Sequence, residues 1–181
     1  MTTLVVLGAV VLLLVVYAFW TARRLDRLHA RLDAAAAALD AQLHARAESA
    51  ARFAAETDQL PRPVAGELAR VASVAAGATG LGHDRELVEN VLSRALMTAG
   101  EAAPDVVRRG AGGAVLVDTV TRASFARRFH NDAVRDALVV RRRRIVRYLH
   151  LAGRAPLPAY FEMAEPTFVM SEVAAAAPPY D

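Results

Sequence analysis

The chain opens with MTTLVVLGAVVLLLVVYAFWTA, residues 1–22, which contain no charged side chain. An α-helix needs about 20 apolar residues to cross the hydrocarbon core of a bilayer. Tyr17 and Trp20 lie near the end of this stretch, where amphipathic rings favour the boundary between lipid and water. A cleavable signal peptide is the alternative, but its basic leading region and a small-residue cleavage site before Arg23 are both missing. We therefore predict that residues 1–22 form a transmembrane anchor.

The basic residues next to this stretch predict its orientation. Arg23, Arg24, Arg27 and Arg31 follow it directly, and no basic side chain precedes it. Segments rich in arginine next to a membrane span stay on the cytoplasmic side. We therefore predict a single-pass protein of the cell membrane with its amino terminus outside and residues 23–181 in the cytosol.

The composition excludes several kinds of chemistry. The chain has no cysteine, which excludes disulfides, thiolate nucleophiles and cysteine-based zinc sites. All 22 basic residues are arginine, which excludes Schiff-base lysines and the lysine of phosphate-binding loops. The sequence has no identifiable Ser-His-Asp arrangement, glycine-rich phosphate loop or paired-carboxylate motif. We therefore predict no enzymatic activity and no cofactor.

The periodicity of apolar residues predicts an all-α protein. Apolar residues recur at steps of three and four, as on one face of a helix, and Pro-rich or Gly-rich connections separate the segments. The predicted helices span residues 21–57, 63–76, 84–99 and 114–151. Four helices with short connections predict an antiparallel up-and-down four-helix bundle over residues 23–163, after the transmembrane helix. Residues 164–181 are predicted to be a disordered tail, as the Ala/Pro composition of its later part favours.

Particular residues of these helices carry further expectations. We expect Val74, Leu87, Val91 and Phe129 to face the core because they share the apolar stripes of their helices. Asp84 is expected to cap the third helix. The glycines of residues 110–113 are expected to form a connection rather than a helix.

Basic residues are concentrated late in the chain. Residues 122–154 carry ten arginines against Asp132 and Asp136. The densest cluster consists of Arg141, Arg142, Arg143, Arg144 and Arg147. A last helix that returns antiparallel to the first brings this cluster to the anionic leaflet, where each arginine contributes about 1 kcal/mol of attraction. A solvated helix end is an alternative. Nucleic-acid binding is less favoured, because a helix spreads four consecutive residues around its circumference.

Three stretches and a short ending carry a family resemblance. The stretches are LDAQLHARAESAARF (residues 39–53), ENVLSRAL (residues 89–96) and ARRFHNDAV (residues 126–134), and the ending contains Tyr-Phe-Glu (residues 160–162). They resemble motifs of the LemA family of membrane-anchored bacterial proteins, with His130 where the family has tyrosine. The resemblance implies a helical bundle with an outside amino terminus and no established enzymatic activity.

Four polar residues of these motifs lie close to the apolar stripes. They are Arg46, Glu89, Arg127 and Asn131. We interpret them as an inter-helix polar network in which Glu89 pairs with Arg46 or Arg127, since such pairing offsets the cost of desolvation. The alternative is a recognition site for a carboxylate or for a partner helix.

A second polar pattern lies on the first cytosolic helix. Asp40, His44 and Glu48 are spaced so that they share one face. A histidine between two carboxylates is able to bind metal or to relay protons. A solvated face with mutual pairing is favoured instead, and we predict no metal site.

These features together predict a LemA-like membrane-anchored scaffold or adaptor. It would present its cytosolic bundle to a partner protein and its arginine-rich helix end to anionic lipid. A membrane-tethered metal-dependent hydrolase and a nucleic-acid-binding protein that uses the arginine cluster are the alternatives.

Overall fold

The computed structural model describes residues 1–142 and 157–166. Helices account for 84% of this part and no strand occurs in it, as the all-α prediction requires. Its helices are α1 (Thr2–Glu56), α2 (Arg62–Gly77), α3 (His83–Ala102), α4 (Pro104–Arg109) and α5 (Ala111–Arg141).

Prolines and glycines account for most of the helix boundaries. Pro63 lies in the first turn of α2, where the missing N–H has no helical partner to lose. The α3 helix passes through Gly100, where the sequence predicted its end, and stops before Pro104, because the residue that precedes a proline avoids helical geometry. At its other end α3 begins at His83, so Asp84 lies in the first turn instead of capping it. Gly80 adopts a φ of 75°, at which a residue with a side chain would be strained. This backbone conformation lets the chain turn between α2 and α3.

The glycines between α4 and α5 form part of a helix, contrary to the prediction of a connection. Gly112 and Gly113 lie inside α5, which begins at Ala111. A Cβ atom at Gly113 would overlap the backbone carbonyls of Val106 and Val107 in α4. The glycine therefore allows the start of α5 to pack closely against the preceding helix.

The chain divides into two compact units. The first contains Met1–Ala35 and Asn131–Tyr160, and the second contains Ala36–His130 and Phe161–Asp181. The helices α1 and α5 each contribute to both units.

The first unit contains the apolar start of α1. This helix holds a stretch that is long and apolar enough to cross a membrane, and none of that stretch is buried. In the later residues of this unit, α5 buries Ala133, Val134, Ala137 and Val140 along one side. These small residues recur at helical spacing, as a face that approaches another element closely requires.

The second unit has a continuous hydrophobic core. It joins residues 47–54 of α1 to the inner faces of α2, α3 and α4 and to the first half of α5. Leu68, Leu92 and Leu96 are among its fully or almost fully buried members, and Phe53 fills the side toward α5. A second, smaller cluster contains Leu39, Leu43, Ala123, Phe161 and Met163.

Four residues that were expected to face the core are exposed. Val74, Leu87 and Phe129 are more than half exposed, and Val91 is exposed as well. In α3 the reason is that Glu89 and other polar residues take the inner face, which turns Leu87 and Val91 to the opposite side of the helix.

Parts of two predictions fall outside the described residues. The predicted last helix reached residue 151, but the description of this region ends at 142. Arg143, Arg144 and Arg147 therefore lie outside it. The predicted tail began at residue 164, but Ala164 and Glu165 form hydrogen bonds within the second unit, and residues 167–181 are not among the described residues.

Candidate functional site

Three charged side chains meet in the interior of the second unit. Arg46 of α1 donates a hydrogen bond to Glu89 Oε2 at 3.1 Å. Arg85, which lies one turn before Glu89 on α3, donates a hydrogen bond to Glu89 Oε1 at 2.9 Å. Their side chains are at most 1% exposed. We call Arg46, Arg85 and Glu89 the buried triad. One carboxylate is thus shared by two guanidinium groups, and the triad carries an excess positive charge.

Burial dominates the electrostatics of the triad. It raises the pKa of Glu89 despite the opposing effect of Arg46 and Arg85. The same loss of solvent lowers the pKa of Arg46, although Glu89 and Glu165 pull it upward. Buried nitrogen atoms of Arg46 (Nε) and Arg85 (Nη2) have no hydrogen-bond partner among the described residues. The ion pairs therefore fix the arrangement of α1 and α3 without repaying the full cost of desolvation.

The triad is connected to an extended stretch of the chain, residues 161–166, which we call the docked segment. Arg46 Nη2 donates to Ser93 Oγ at 2.6 Å, and Ser93 Oγ donates onward to the carbonyl of Ala164 at 2.7 Å. A second nitrogen of Arg46 contacts the sulfur of Met163 at 3.3 Å. Arg46 thereby links α3 to the docked segment.

The helix α3 binds the backbone of the docked segment through side chains. Glu86 Oε1 accepts from the amide of Glu162 at 2.8 Å, and Asn90 Oδ1 accepts from the amide of Ala164 at 2.7 Å. Glu86, Asn90 and Ser93 are spaced by four and three residues, so they lie along one face of the helix. An extended peptide presents its amides and carbonyls at a regular repeat. The side chains of Glu86, Asn90 and Ser93 therefore bind these groups as the backbone of a neighbouring strand would.

Alternate side chains of the docked segment are buried. Phe161 is 0% exposed and Met163 is 7% exposed, and both pack in the cluster with Leu39, Leu43 and Ala123. This alternation is the one that an extended chain produces, since successive side chains point to opposite sides. The helices α1 and α5 therefore supply the apolar contacts, while α3 supplies hydrogen bonds to the backbone.

Two arginines of α5 hold the acidic end of the docked segment. Arg127 Nη2 lies 2.6 Å from Glu165 Oε1, and Arg128 Nη2 lies 3.1 Å from Oε2. Burial raises the pKa of Glu165, but the hydrogen bonds from Arg127 and Arg128 outweigh it and leave the pKa below its ordinary value. We call the contacting surfaces of α1, α3 and α5 the segment-binding face.

The structure brings together two of the four residues of the predicted polar network. Arg46 and Glu89 form the predicted pair. Arg127, the other candidate partner of Glu89, binds Glu165 instead. Asn131 is half-buried and belongs to the first unit.

The face with Asp40, His44 and Glu48 is divided in the structure. The imidazole of His44 lies 2.9 Å from the carbonyl of Asp40 and 3.7 Å from its carboxylate. Asp40 also lies 3.9 Å from Arg85, and Glu48 is exposed to solvent. Among residues 1–142 and 157–166, no group of three or more His, Asp or Glu side chains is arranged to hold a metal ion.

Arg85, Ser93 and the docked segment were not predicted as parts of the site from the sequence. The spacing of Arg85 and Glu89, one helical turn apart, is a signal for their pairing. The docked segment has no periodicity, and only the Tyr-Phe-Glu ending, residues 160–162, marks part of it in the sequence. Of the arginine cluster, Arg141 is half-buried and Arg142 is exposed.

No protein-family model, curated protein or solved structure matches this chain.

Proposed function

We propose that the protein is a single-span, LemA-type scaffold or adaptor that holds a helical domain at the cytosolic face of the cell membrane. The observation that carries this proposal is the composition of α1. Its apolar first part is exposed, whereas its later part enters the core of the second unit. An exposed apolar stretch of this length is stable in lipid and prone to aggregation in water.

The proposed orientation is supported by pairs of aromatic and basic residues. The guanidinium of Arg23 lies 4.5 Å from the centre of the Phe19 ring, and that of Arg24 lies 5.8 Å from the Trp20 ring. Aromatic rings followed by arginines are typical of the cytoplasmic boundary of a membrane span. The domain would thus lie on the cytosolic side.

An antiparallel bundle fits the contacts between α1 and α5. Within the second unit, Gly112 lies next to Phe53, while Ala123 shares a cluster with Leu39 and Leu43. Residue numbers therefore rise along α5 as they fall along α1. In the first unit Arg31 and Asp136 form an exposed ion pair at 3.4 Å.

In such a bundle Arg141 and Arg142 approach the membrane end of α1, and the lipid contact proposed for the arginine cluster follows from this placement. Each arginine near an anionic leaflet adds about 1 kcal/mol of attraction. The scaffold role itself is supported by the buried triad, whose charges are engaged in holding helices and the docked segment together. Charged groups that hold helices together in this way stabilise the surface that the domain presents to a partner.

The orientation is tested by cysteine labelling. The wild-type chain has no cysteine, so a thiol reagent labels only the introduced residue. Thr2→Cys and Ser73→Cys each introduce an exposed thiol. A membrane-impermeant maleimide added to intact cells should label the first variant, and should label the second only after permeabilisation. Labelling of Ser73→Cys in intact cells would overturn the proposal.

The lipid contact is tested with the full chain in nanodiscs. Anionic lipid should raise the melting temperature of the wild type relative to neutral lipid, and Arg141→Gln/Arg142→Gln should reduce this difference. The matched control is Arg108→Gln/Arg109→Gln, an exposed pair at the end of α4 that lies outside the proposed contact. An equal loss in both variants would contradict a specific lipid contact.

A further inference from the structure

We propose that the segment-binding face is a peptide-binding site, and that a partner protein occupies it with an extended acidic peptide in place of the docked segment. The pattern that fits is an aromatic residue, an apolar residue two positions later and an acidic residue two positions after that. The docked segment follows this pattern with Phe161, Met163 and Glu165.

The way in which the segment is held supports exchange. Three hydrogen bonds of its backbone involve side chains of α3, namely Glu86, Asn90 and Ser93. Hydrogen bonds to main-chain groups do not depend on the side chains of the bound residues, so an extended chain without proline at the two donor positions satisfies them. Specificity is then left to the apolar cluster and to the arginines, as in other recognition of extended peptides.

The charge of the face identifies the acidic character of the occupant. The buried triad carries one more positive than negative charge, Arg127 and Arg128 add two positive charges, and Glu86 adds one negative charge, so the face keeps a positive excess. Glu165 engages both α5 arginines, and its charge also opposes the lowering of the Arg46 pKa by burial. A peptide without an acidic residue at this position would leave the part-buried charge of Arg127 unpaired, and the cost of desolvating that charge would disfavour binding of such a peptide.

The connection of the segment to the rest of the chain allows it to leave. The preceding residues 157–160 have no regular secondary structure and form part of the first unit. Leu157 and Tyr160 are 69% and 45% exposed. Residues 157–166 contain no helix or strand, so detachment of the docked segment unwinds no secondary structure among the described residues.

The probe is a fluorescent peptide with the chain's own sequence, LPAYFEMAEP (residues 157–166), and the protein is the full chain in detergent micelles. In the wild type the docked segment competes with the peptide, so the apparent affinity for the peptide is the intrinsic affinity multiplied by the fraction of sites that are open. The double substitution Phe161→Ala/Met163→Ala, which we call the vacated variant, should weaken binding of the docked segment to its face. The vacated variant should then bind the peptide at least about tenfold more tightly than the wild type does, because a tethered segment competes at an effective concentration of about millimolar.

Two controls separate specific binding from adhesion. The control peptide LPAYAEAAEP lacks both apolar anchors and should not bind. Adding Asn90→Ala to the vacated variant removes one backbone hydrogen bond, and should weaken binding of the native peptide about fivefold to tenfold.

The proposal is overturned if the vacated variant keeps wild-type helicity and binds the native peptide no better than the control peptide. If that variant does not fold, the wild type decides. Saturating peptide should accelerate hydrogen exchange at the amides of Glu162 and Ala164, and unchanged exchange refutes displacement. Dimers that exchange the docked segment, without a peptide-bound monomer, would also overturn the proposal and favour a second copy as the occupant.

This inference deepens the proposed adaptor role, on which it rests for the choice of a protein partner. The two fail separately. Peptide binding in micelles does not depend on membrane orientation, and the labelling of Thr2→Cys does not depend on the segment-binding face.

Discussion

Replacing Phe161 with alanine tests how the docked segment is held. Its side chain is 0% exposed, so the substitution removes a whole ring from the cluster with Leu39 and Leu43. Core substitutions of phenylalanine by alanine cost about 3–5 kcal/mol when the surroundings do not collapse. At the segment we expect about 3 kcal/mol, the lower end, because the segment is able to detach without unfolding the helices.

The expected signal is a local change in hydrogen exchange. About 3 kcal/mol corresponds to about a hundredfold change in an opening equilibrium, since each 1.4 kcal/mol is tenfold. The amides of Glu162 and Ala164, which donate to α3, should therefore exchange about a hundred times faster in Phe161→Ala. Amides in the centre of α3 should keep their wild-type protection. The measurement is exchange followed by mass spectrometry on the full chain in detergent.

The neighbouring Tyr160 provides a matched control. It is also aromatic, but it is 45% exposed. Tyr160→Ala should leave the exchange of both amides within about a factor of two of wild type, as is usual for surface substitutions. Equal effects of the two substitutions would refute the role of Phe161 as an anchor, and so would a uniform loss of protection across α2 and α3.

Three further predictions follow from the same structure. Replacing the three members of the buried triad together, with Met, Met and Leu in chain order, should leave the melting temperature in detergent unchanged or raised, because removing all three charges abolishes their desolvation cost. A loss of cooperative unfolding in this variant would contradict that account. The pKa of Glu165 is lowered in the folded state, so its ion pairs stabilise the docked segment fully above the ordinary carboxyl pKa of 4.5. This stabilisation is lost as the pH falls through the lowered pKa. Protection of the segment's amides should fall in that acidic range, and Glu165→Gln should abolish the dependence. Gly113→Ala should lower the melting temperature, because its Cβ overlaps two carbonyls of α4. Gly112→Ala meets only the Phe53 ring at 3.7 Å and should be neutral or stabilising by up to about 1 kcal/mol. Equal melting temperatures for the two glycine variants would count against the close helix approach.

The sequence predicts the helices well where apolar periodicity and proline agree. The predicted helices at 63–76 and 84–99 differ from α2 and α3 by at most three residues at an end. The errors arise where side chains compete for the inner face. Leu87 and Val91 were assigned to the core by hydrophobicity, but paired charges on the same helix occupy that face in the structure. Hydrophobicity alone does not anticipate that charged residues take the inner face of a helix when their partners lie on the same or a neighbouring helix.

The candidate site was predictable in part for a related reason. Arg46 and Glu89 lie within recognisable motifs, and their pairing followed from the charge that each would bring into the core. The docked segment depends on contacts between residues more than 70 positions apart, such as Asn90 and Ala164. Long-range contacts of an extended stretch leave no periodic trace in the sequence, so they emerge only from the fold.

The hydrogen bonds that Glu86 and Asn90 accept from the backbone also determine which positions of the docked segment are free to change in evolution. Both side chains accept from main-chain amides, so neither is sensitive to which side chain stands at residue 162 or 164. Those two positions are open to drift among all residue types with an N–H, whereas proline, which lacks one, is barred from each. Diversification of this stretch among descendants of the protein would therefore proceed at every second residue.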